Sequence, residues 1–363
     1  VIALRILGVL AGLAMVVTTV LSAVRTTVLP RGVPSRLSRF VFVLVRWAFR
    51  VRMGRAPTYD LRDRVYASYG PFALLLLLQS WLLLVYAGFA LAQWAAEPVR
   101  GIGDAFKISG SSLFTLGFDV PQGMLPTALT FVEASVGLLL VALLISYLPA
   151  IYGAFSRREA MVAKLEVRAG NPPTGSELLV RAWRLERFDR LSATWAETET
   201  WFVDIEETHT SFPALVFFRS PQPEHSWITT AGAVLDSAAF LAAVVDVPRD
   251  VEAELCIRSG YLSLRRIADF FQIPYPPDPR QGDPISVSRD EWDTVVDDLV
   301  SAGLPIRADR DQAWRDWAGW RVNYDHPLIA LGMLAQAPYS PWSTDRSLAG
   351  FRALPLLLRK PFR

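Results

Sequence analysis

Cysteine and histidine are almost missing from this chain of 363 residues. A single cysteine, Cys256, excludes an intrachain disulfide and fits a reducing compartment for the segment around it. It reads as a buried structural thiol. His209, His225 and His326 stand far apart, without the spacing of metal ligands. No glycine-rich phosphate loop follows a strand-like run, and no nucleophile–base pair emerges, so no enzyme and no cofactor is expected. The acidic stretch Asp290–Asp298 lacks the glycine and ligand order of a calcium loop and reads as a solvated helix face. Ser263–Ile273 has a faint helix-turn-helix look, outweighed by an ordinary amphipathic helix.

Formal charge is missing from long stretches too. Gly70–Ala95 has none, Ile6–Leu29 has Arg25, and Leu125–Phe155 has Glu133. Each run exceeds the ~20 residues that carry a helix across a ~30 Å hydrocarbon core. The whole chain is 52% hydrophobic, with a mean hydropathy of +0.28, which places part of that apolar content in lipid. Three spans are expected, with Trp81, Trp94 and Tyr147 as interfacial anchors. The first run is expected to stay as a helix rather than be cleaved as a signal peptide.

What charge there is falls unevenly. Residues 1–155 hold 13 Lys+Arg against 6 Asp+Glu, and residues 156–363 hold 24 against 29. Nine arginines crowd residues 30–69, and Arg157 and Arg158 follow the third run, whereas residues 96–124 have only Arg100 and Lys107. The positive-inside rule then places 30–69 and everything after 156 in the cytoplasm, with 96–124 and the N-terminus outside. Phe40–Val51 alternates bulky apolar residues with arginine and reads as an interfacial helix. Membrane lipid is an expected partner and nucleic acid is not, given the acidic second half.

The connection between the second and third runs carries the most information. Ala105–Phe114 is too short to span and too apolar for an exposed loop, which suits a half-helix dipping into the membrane. It leads into Ser112-Leu-Phe-Thr115-Leu116-Gly117-Phe118-Asp119, then Pro121. This stretch resembles the pore module of tetrameric potassium channels, the bacterial two-transmembrane, pore-loop family, with a variant filter TLGFD. The resemblance covers about 85 residues, 70–155, and implies that Thr115, Leu116, Gly117 and Phe118 offer stacked oxygen rings to a permeant potassium or other monovalent cation. It implies that Ser111 and Ser112 support the filter, and that four chains close the pore as a homotetramer. Asp119 departs from the family pattern. It takes the place of the second filter glycine, or that glycine is deleted and Asp119 matches the aspartate after it. Cation conduction is the firmer expectation and strict potassium selectivity the weaker one.

Within the third run, Glu133-Ala-Ser-Val-Gly137-Leu-Leu-Leu looks like the start of the inner helix in such channels. On that likeness Glu133 braces the pore helix near Ser111 or Ser112. Otherwise it is an interfacial residue, because a carboxylate within a span costs on the order of 2.5–3.5 kcal/mol unless protein or water faces it. Gly137 is a hinge or a point of close packing. Pro149 shapes an inner gate or helps end the helix.

The expected fold is an all-α membrane protein: three transmembrane helices plus a re-entrant pore helix and filter, then a cytoplasmic all-helical domain. Its segments are an N-terminal helix (1–29), a basic cytoplasmic or interfacial segment (30–69), the pore module (70–155), the helical domain (156–336) and a loosely held tail (337–363). Within the domain, Ser288-Arg-Asp-Glu291 is a capping box opening a helix, and the tryptophan stripes around 183–201 and 314–320 read as core. The domain reads as an assembly or regulatory unit with an unidentified ligand or partner. The competing reading is a non-conducting membrane-anchored sensor or scaffold with a degenerate pore loop.

Overall fold

A computed structural model describes residues 2–29, 35–53, 64–97 and 101–348, and among these every regular element is helical. Three helices are long and apolar enough to cross a membrane: Ile2–Thr27, Arg64–Ala96 and Met124–Ala169. The described residues divide into two units, the first within 2–53 and 68–152, the second comprising 64–67 and 153–348.

The first unit holds α1 (Ile2–Thr27), α2 (Arg36–Met53), α3 (Tyr69–Ala96), α4 (Ile102–Leu113) and the opening part of α5 (Met124–Ala169). Helix α1 lies along α3. Small residues allow it: a Cβ on Gly12 would stand 2.4 Å from the Gly88 carbonyl oxygen, and one on Gly88 2.9 Å from that of Gly12. In hydrocarbon, where apolar burial gives no drive to associate, this close backbone contact is what holds helices together. Below it, the Trp81 indole donates to Ser22 Oγ at 3.2 Å, and Ser22 Oγ meets Ser35 Oγ at 2.8 Å. Trp81 is buried, so it ties helices together rather than anchoring an end in the interface; Tyr147 is buried too, and Trp94 is exposed. Helix α2 packs on α3, where the Tyr69 hydroxyl donates to the Phe42 carbonyl at 3.0 Å.

Helix length sorts α4 from α5. At 1.5 Å per residue, the 12 residues of α4 reach about 18 Å, well short of a bilayer core. The 46 residues of α5 reach about 69 Å, twice what a bilayer needs. Pro149 does not end α5, which runs on to Ala169.

The second unit takes the rest of α5, then α6 (Gly175–Arg184), α7 (Leu191–Ser211), α8 (Trp227–Ala243), α9 (Val251–Phe270), α10 (Arg289–Ser301), α11 (Arg310–Arg321) and α12 (Asp325–Ala335), with 3-10 turns at Phe188–Arg190 and Pro213–Phe217. Helix α8 is apolar and built of small residues, and it is buried along nearly its whole length because α6, α9, α11 and α12 surround it. Side-chain caps start these helices: Thr174 on α6, Ser226 on α8, Asp250 on α9 and Asp309 on α11. The capping box at Ser288 and Glu291 opens α10.

Charge is buried in this unit where it is matched. Arg321 on α11 donates to Asp236 on α8 at 2.7 and 2.9 Å and to Asp325 at 2.8 Å, and Tyr324 adds a hydrogen bond to Asp236 at 2.8 Å. Burial works against the Arg321 charge, but the two carboxylates outweigh it and hold the pKa above its ordinary value. Trp195 and Trp317 are fully buried, and Trp342 packs on Phe240 and Trp317. The last of these corrects the expectation of a loose tail for residues 337–348. Ser340 and Ser343 are buried, and Arg346 pairs with Glu291 at 2.7 Å. Residues 349–363, including most of the apolar Leu348–Leu358, lie outside the described residues.

Candidate functional site

The loop after α4 is built around that helix's last turn. The backbone N–H of Thr115 donates to the Ser112 carbonyl at 3.0 Å, and those of Leu116 and Gly117 both reach the Ser111 carbonyl, at 2.8 and 3.3 Å. Ser111 Oγ accepts the N–H of Asp119 at 3.1 Å. The N–H donors of the segment, except that of Phe118, are thereby tied down. Its acceptors are not: among the described residues no hydrogen bond reaches the carbonyl oxygens of Thr115, Leu116, Gly117 or Phe118.

The dihedrals explain how one strand of backbone can do this. Thr115 has φ +54° and Gly117 φ +72°, whereas Leu116 and Phe118 are not on the positive side. A left-handed residue lets neighbouring N–H groups converge on one acceptor, as those of Leu116 and Gly117 do on the Ser111 carbonyl. Glycine takes the left-handed region without strain, but Thr115 does not, and a left-handed non-glycine costs about 1–2 kcal/mol. Thr115 is held there by the hydrogen bonds above. Residues 114–118 are all exposed, including the apolar side chains of Leu116 and Phe118.

Helix α4 is fixed from two directions. On the α3 side, the Tyr86 hydroxyl donates to the Phe106 carbonyl at 3.0 Å, and Ser109 Oγ donates to the Tyr86 carbonyl at 3.0 Å. The Tyr86 and Phe106 rings meet edge-on at 5.3 Å. On the α5 side, Ser109 is also hydrogen-bonded to the Glu133 carboxyl group, which is fully buried. Glu133 is therefore enclosed by protein at the α4–α5 contact. Its partner is Ser109, not Ser111 or Ser112: Ser111 holds Asp119, and Ser112 donates back to the Ile108 carbonyl at 2.8 Å.

One turn further along α5, Gly137 lies against the end of α4. A Cβ there would sit 2.3 Å from the Leu113 carbonyl oxygen. That is a point of close approach, and it seats the last turn of α4, from which the loop departs. The far side of the loop is held by the N–H of Gln122 on Glu97 at 3.2 Å and by the Gln93 amide on the Pro126 carbonyl at 3.1 Å. The structure thus brings Ser111, Thr115–Asp119, Glu133 and Gly137 into one assembly around α4. Pro149 lies three turns beyond Gly137 on α5 and is exposed.

Sequence reasoning missed Ser109, Tyr86 and Gln93. A signal for Ser109 existed: it stands four positions after Ala105 on the buried face of α4, and Ala105, Ile108, Ser109 and Ser111 are all buried. Tyr86 and Gln93 carried none beyond being polar atoms in an apolar run.

No group of three or more His, Cys, Asp or Glu side chains that could hold a metal occurs among the described residues. Backbone oxygens are the acceptors on offer at the loop. No protein-family model matches the chain, and no solved structure matches it. Among curated proteins, the "Uncharacterized membrane protein YdjJ" of Bacillus subtilis (strain 168) is 25% identical over 235 residues, which cover 60% of this chain and 67% of that protein. The chain is a membrane protein by this likeness and by its three apolar helices.

Proposed function

We propose that the chain is the pore-forming subunit of a tetrameric cation channel of the potassium-channel kind. Residues 70–155 form the pore module, Thr115–Phe118 line the filter, and the helical second unit lies in the cytoplasm. The observation that carries this reading is the row of carbonyl oxygens at Thr115–Phe118, left without hydrogen-bond partners while the N–H groups of Thr115, Leu116, Gly117 and Asp119 are satisfied by Ser111 and Ser112. Backbone acceptors are seldom left unpaired at membrane depth, and a column of dehydrated cations would pair them. Four copies around an axis would also cover Leu116 and Phe118, whose apolar side chains are exposed in the single chain.

In this reading α3 is the outer helix, α4 the pore helix and α5 the inner helix. Glu133 and Gly137 hold α4 in place so that the loop keeps its dihedrals. Ions shed water onto the carbonyl rings and pass in file, weakly enough bound at each ring to move on. Potassium is cargo here and not a resident cofactor. The arginine-rich segment 30–69 faces the cytoplasm, and 96–124 faces outward.

Gly117→Ala tests the assignment. Open space surrounds the Cβ position, so the substitution acts through φ alone. Purified protein in liposomes should lose its potassium flux while the tetramer persists on size-exclusion chromatography. Unchanged flux from that variant removes Thr115–Asp119 from the conducting path. Absence of flux from the wild-type chain favours the non-conducting scaffold, the reading that Asp119 in a glycine's place supports.

A further inference from the structure

The last turn of α5 meets α6 and the start of α7 around a cavity of about 260 Å³. Four arginines line it, Arg168, Arg181, Arg187 and Arg190, over a floor that includes the buried side chains of Leu178 and Leu191. None of the lining residues is acidic. Arg321 in the domain core is matched by the buried carboxylates of Asp236 and Asp325, but these four are not all engaged. Arg181 is held by Glu177 at 2.5 Å and donates to the Val167 carbonyl at 2.8 Å. Arg168 gives one nitrogen to the Lys164 carbonyl at 3.0 Å. Arg190 lies 3.5 Å from Asp189 in an exposed pair of little energetic weight. The Arg187 side chain makes no hydrogen bond or ion pair among the described residues.

Guanidinium groups gathered on one cavity repel each other unless an anion stands among them. Their planar forks match phosphate oxygens two at a time, and a multiply charged phosphate can satisfy several forks together. The apolar floor gives room for the uncharged body of such a ligand. We propose that this cavity binds a small phosphate-bearing anion, which ties the last turn of α5 to the two helices that follow. The binding stands on the cavity alone. Its consequence, that occupancy sets how firmly the inner-helix extension is held and so biases opening, rests on the pore reading.

The full chain in nanodiscs of phosphatidylcholine should bind inorganic pyrophosphate saturably, at one site per chain, by titration calorimetry. A parallel arm measures binding to vesicles containing phosphatidylglycerol, because the same phosphate chemistry is found on a lipid headgroup. The double variant R168Q/R187Q should weaken binding at least about tenfold. R249Q, at an exposed arginine outside the cavity, should leave it unchanged. Variant-sensitive binding of pyrophosphate assigns a soluble ligand, and variant-sensitive binding of vesicles alone assigns a headgroup; either supports the proposal. No variant-sensitive binding in either arm, or an equal loss in R249Q, overturns it. Since binding is read as heat, the result decides the proposal whether or not the chain conducts.

Discussion

Ser109 and Glu133 meet across the α4–α5 contact, with both side chains fully buried and the hydroxyl placed between the carboxyl group and the Tyr86 carbonyl. One serine thereby links the short helix to both of its long neighbours. Removing the hydroxyl in Ser109→Ala strands a buried carboxyl group, which costs about 1–3 kcal/mol. The variant should melt several degrees below wild type in detergent. Glu133→Ala should fall as far, and Glu133→Gln, which keeps a hydrogen-bonding group beside Ser109, less. Coincident melting curves for S109A and wild type would show that this link contributes nothing.

Gly137 gives a steric test of the same contact. Its Cβ position is 2.3 Å from backbone, the Leu113 carbonyl oxygen, so Gly137→Ala can be accommodated only if α4 or α5 moves. Overpacking of this kind costs about 1–3 kcal/mol. Gly103→Ala, at the exposed start of α4 with open space around it, is the control. G137A should lower both melting temperature and potassium flux in liposomes, while G103A leaves both near wild type. A G137A chain that conducts and melts normally would mean that the helices part there at no cost, as a hinge would allow.

What could be read from the residues, and what could not, follows from the physics of each position. Apolar length alone located the three long helices, and Ser288 and Glu291 announced the start of α10 because a capping box is a local reciprocal pair. Glu133 stood out because a carboxylate in an apolar run must find a partner. Which serine partnered it was not local information. Ser109, Ser111 and Ser112 lie within one turn, and the choice depends on how α4 is rotated against α5, set by the Gly137 contact. Gly8 and Gly12 have the spacing of a close-packing pair, to which hydropathy is blind. Arg158, counted as a positive-inside charge, is also buried, with donors spent on Glu159 at 2.8 Å and, through contacts that only tertiary structure supplies, on the Leu215 carbonyl at 2.9 Å and the Phe218 carbonyl at 2.7 Å. The packing of residues 337–348 has no periodic pattern. Trp342 is placed by the aromatic pocket it fills, which only tertiary structure supplies.

Asp119 offers a test through ionic strength. Four carboxylates at the mouth of a tetramer would concentrate cations there by long-range attraction. The screening length is about 30 Å at 0.01 M salt and about 3 Å at 1 M. Asp119→Asn should therefore reduce single-channel conductance severalfold in dilute potassium chloride and leave it near wild type at 1 M. A reduction of the same size at both concentrations would mean that the Asp119 side chain acts by shaping the loop locally, and not through the long-range pull of its charge.

His209 should make the second unit sensitive to acid. Its ring is fully buried, tilted 49° against Trp227 at 4.6 Å, with Nε2 3.3 Å from Arg158 and Nδ1 2.8 Å from the Ile205 carbonyl; Thr208 is the other polar neighbour, at 3.3 Å. Burial, and then the Arg158 charge, hold its pKa well below the ordinary histidine value. In the neutral ring, Nδ1 carries the hydrogen and donates to Ile205 while Nε2 accepts from Arg158. Above about pH 6.5 the histidine is neutral folded or unfolded, and pH has no hold on stability through it. Below that value the unfolded chain takes up a proton that the folded chain refuses. Stability then falls by about 1.4 kcal/mol for each pH unit until the folded-state pKa is reached. Glutamine at this position cannot titrate and still offers Arg158 an oxygen. Between pH 6.5 and 5.5, where the unfolded histidine goes from half to almost fully protonated, wild type should lose about 1 kcal/mol more than His209→Gln, measured by tryptophan fluorescence during denaturation. Parallel pH slopes for the two proteins would show that the folded state takes the proton as readily as the unfolded chain, and that Arg158 yields to it.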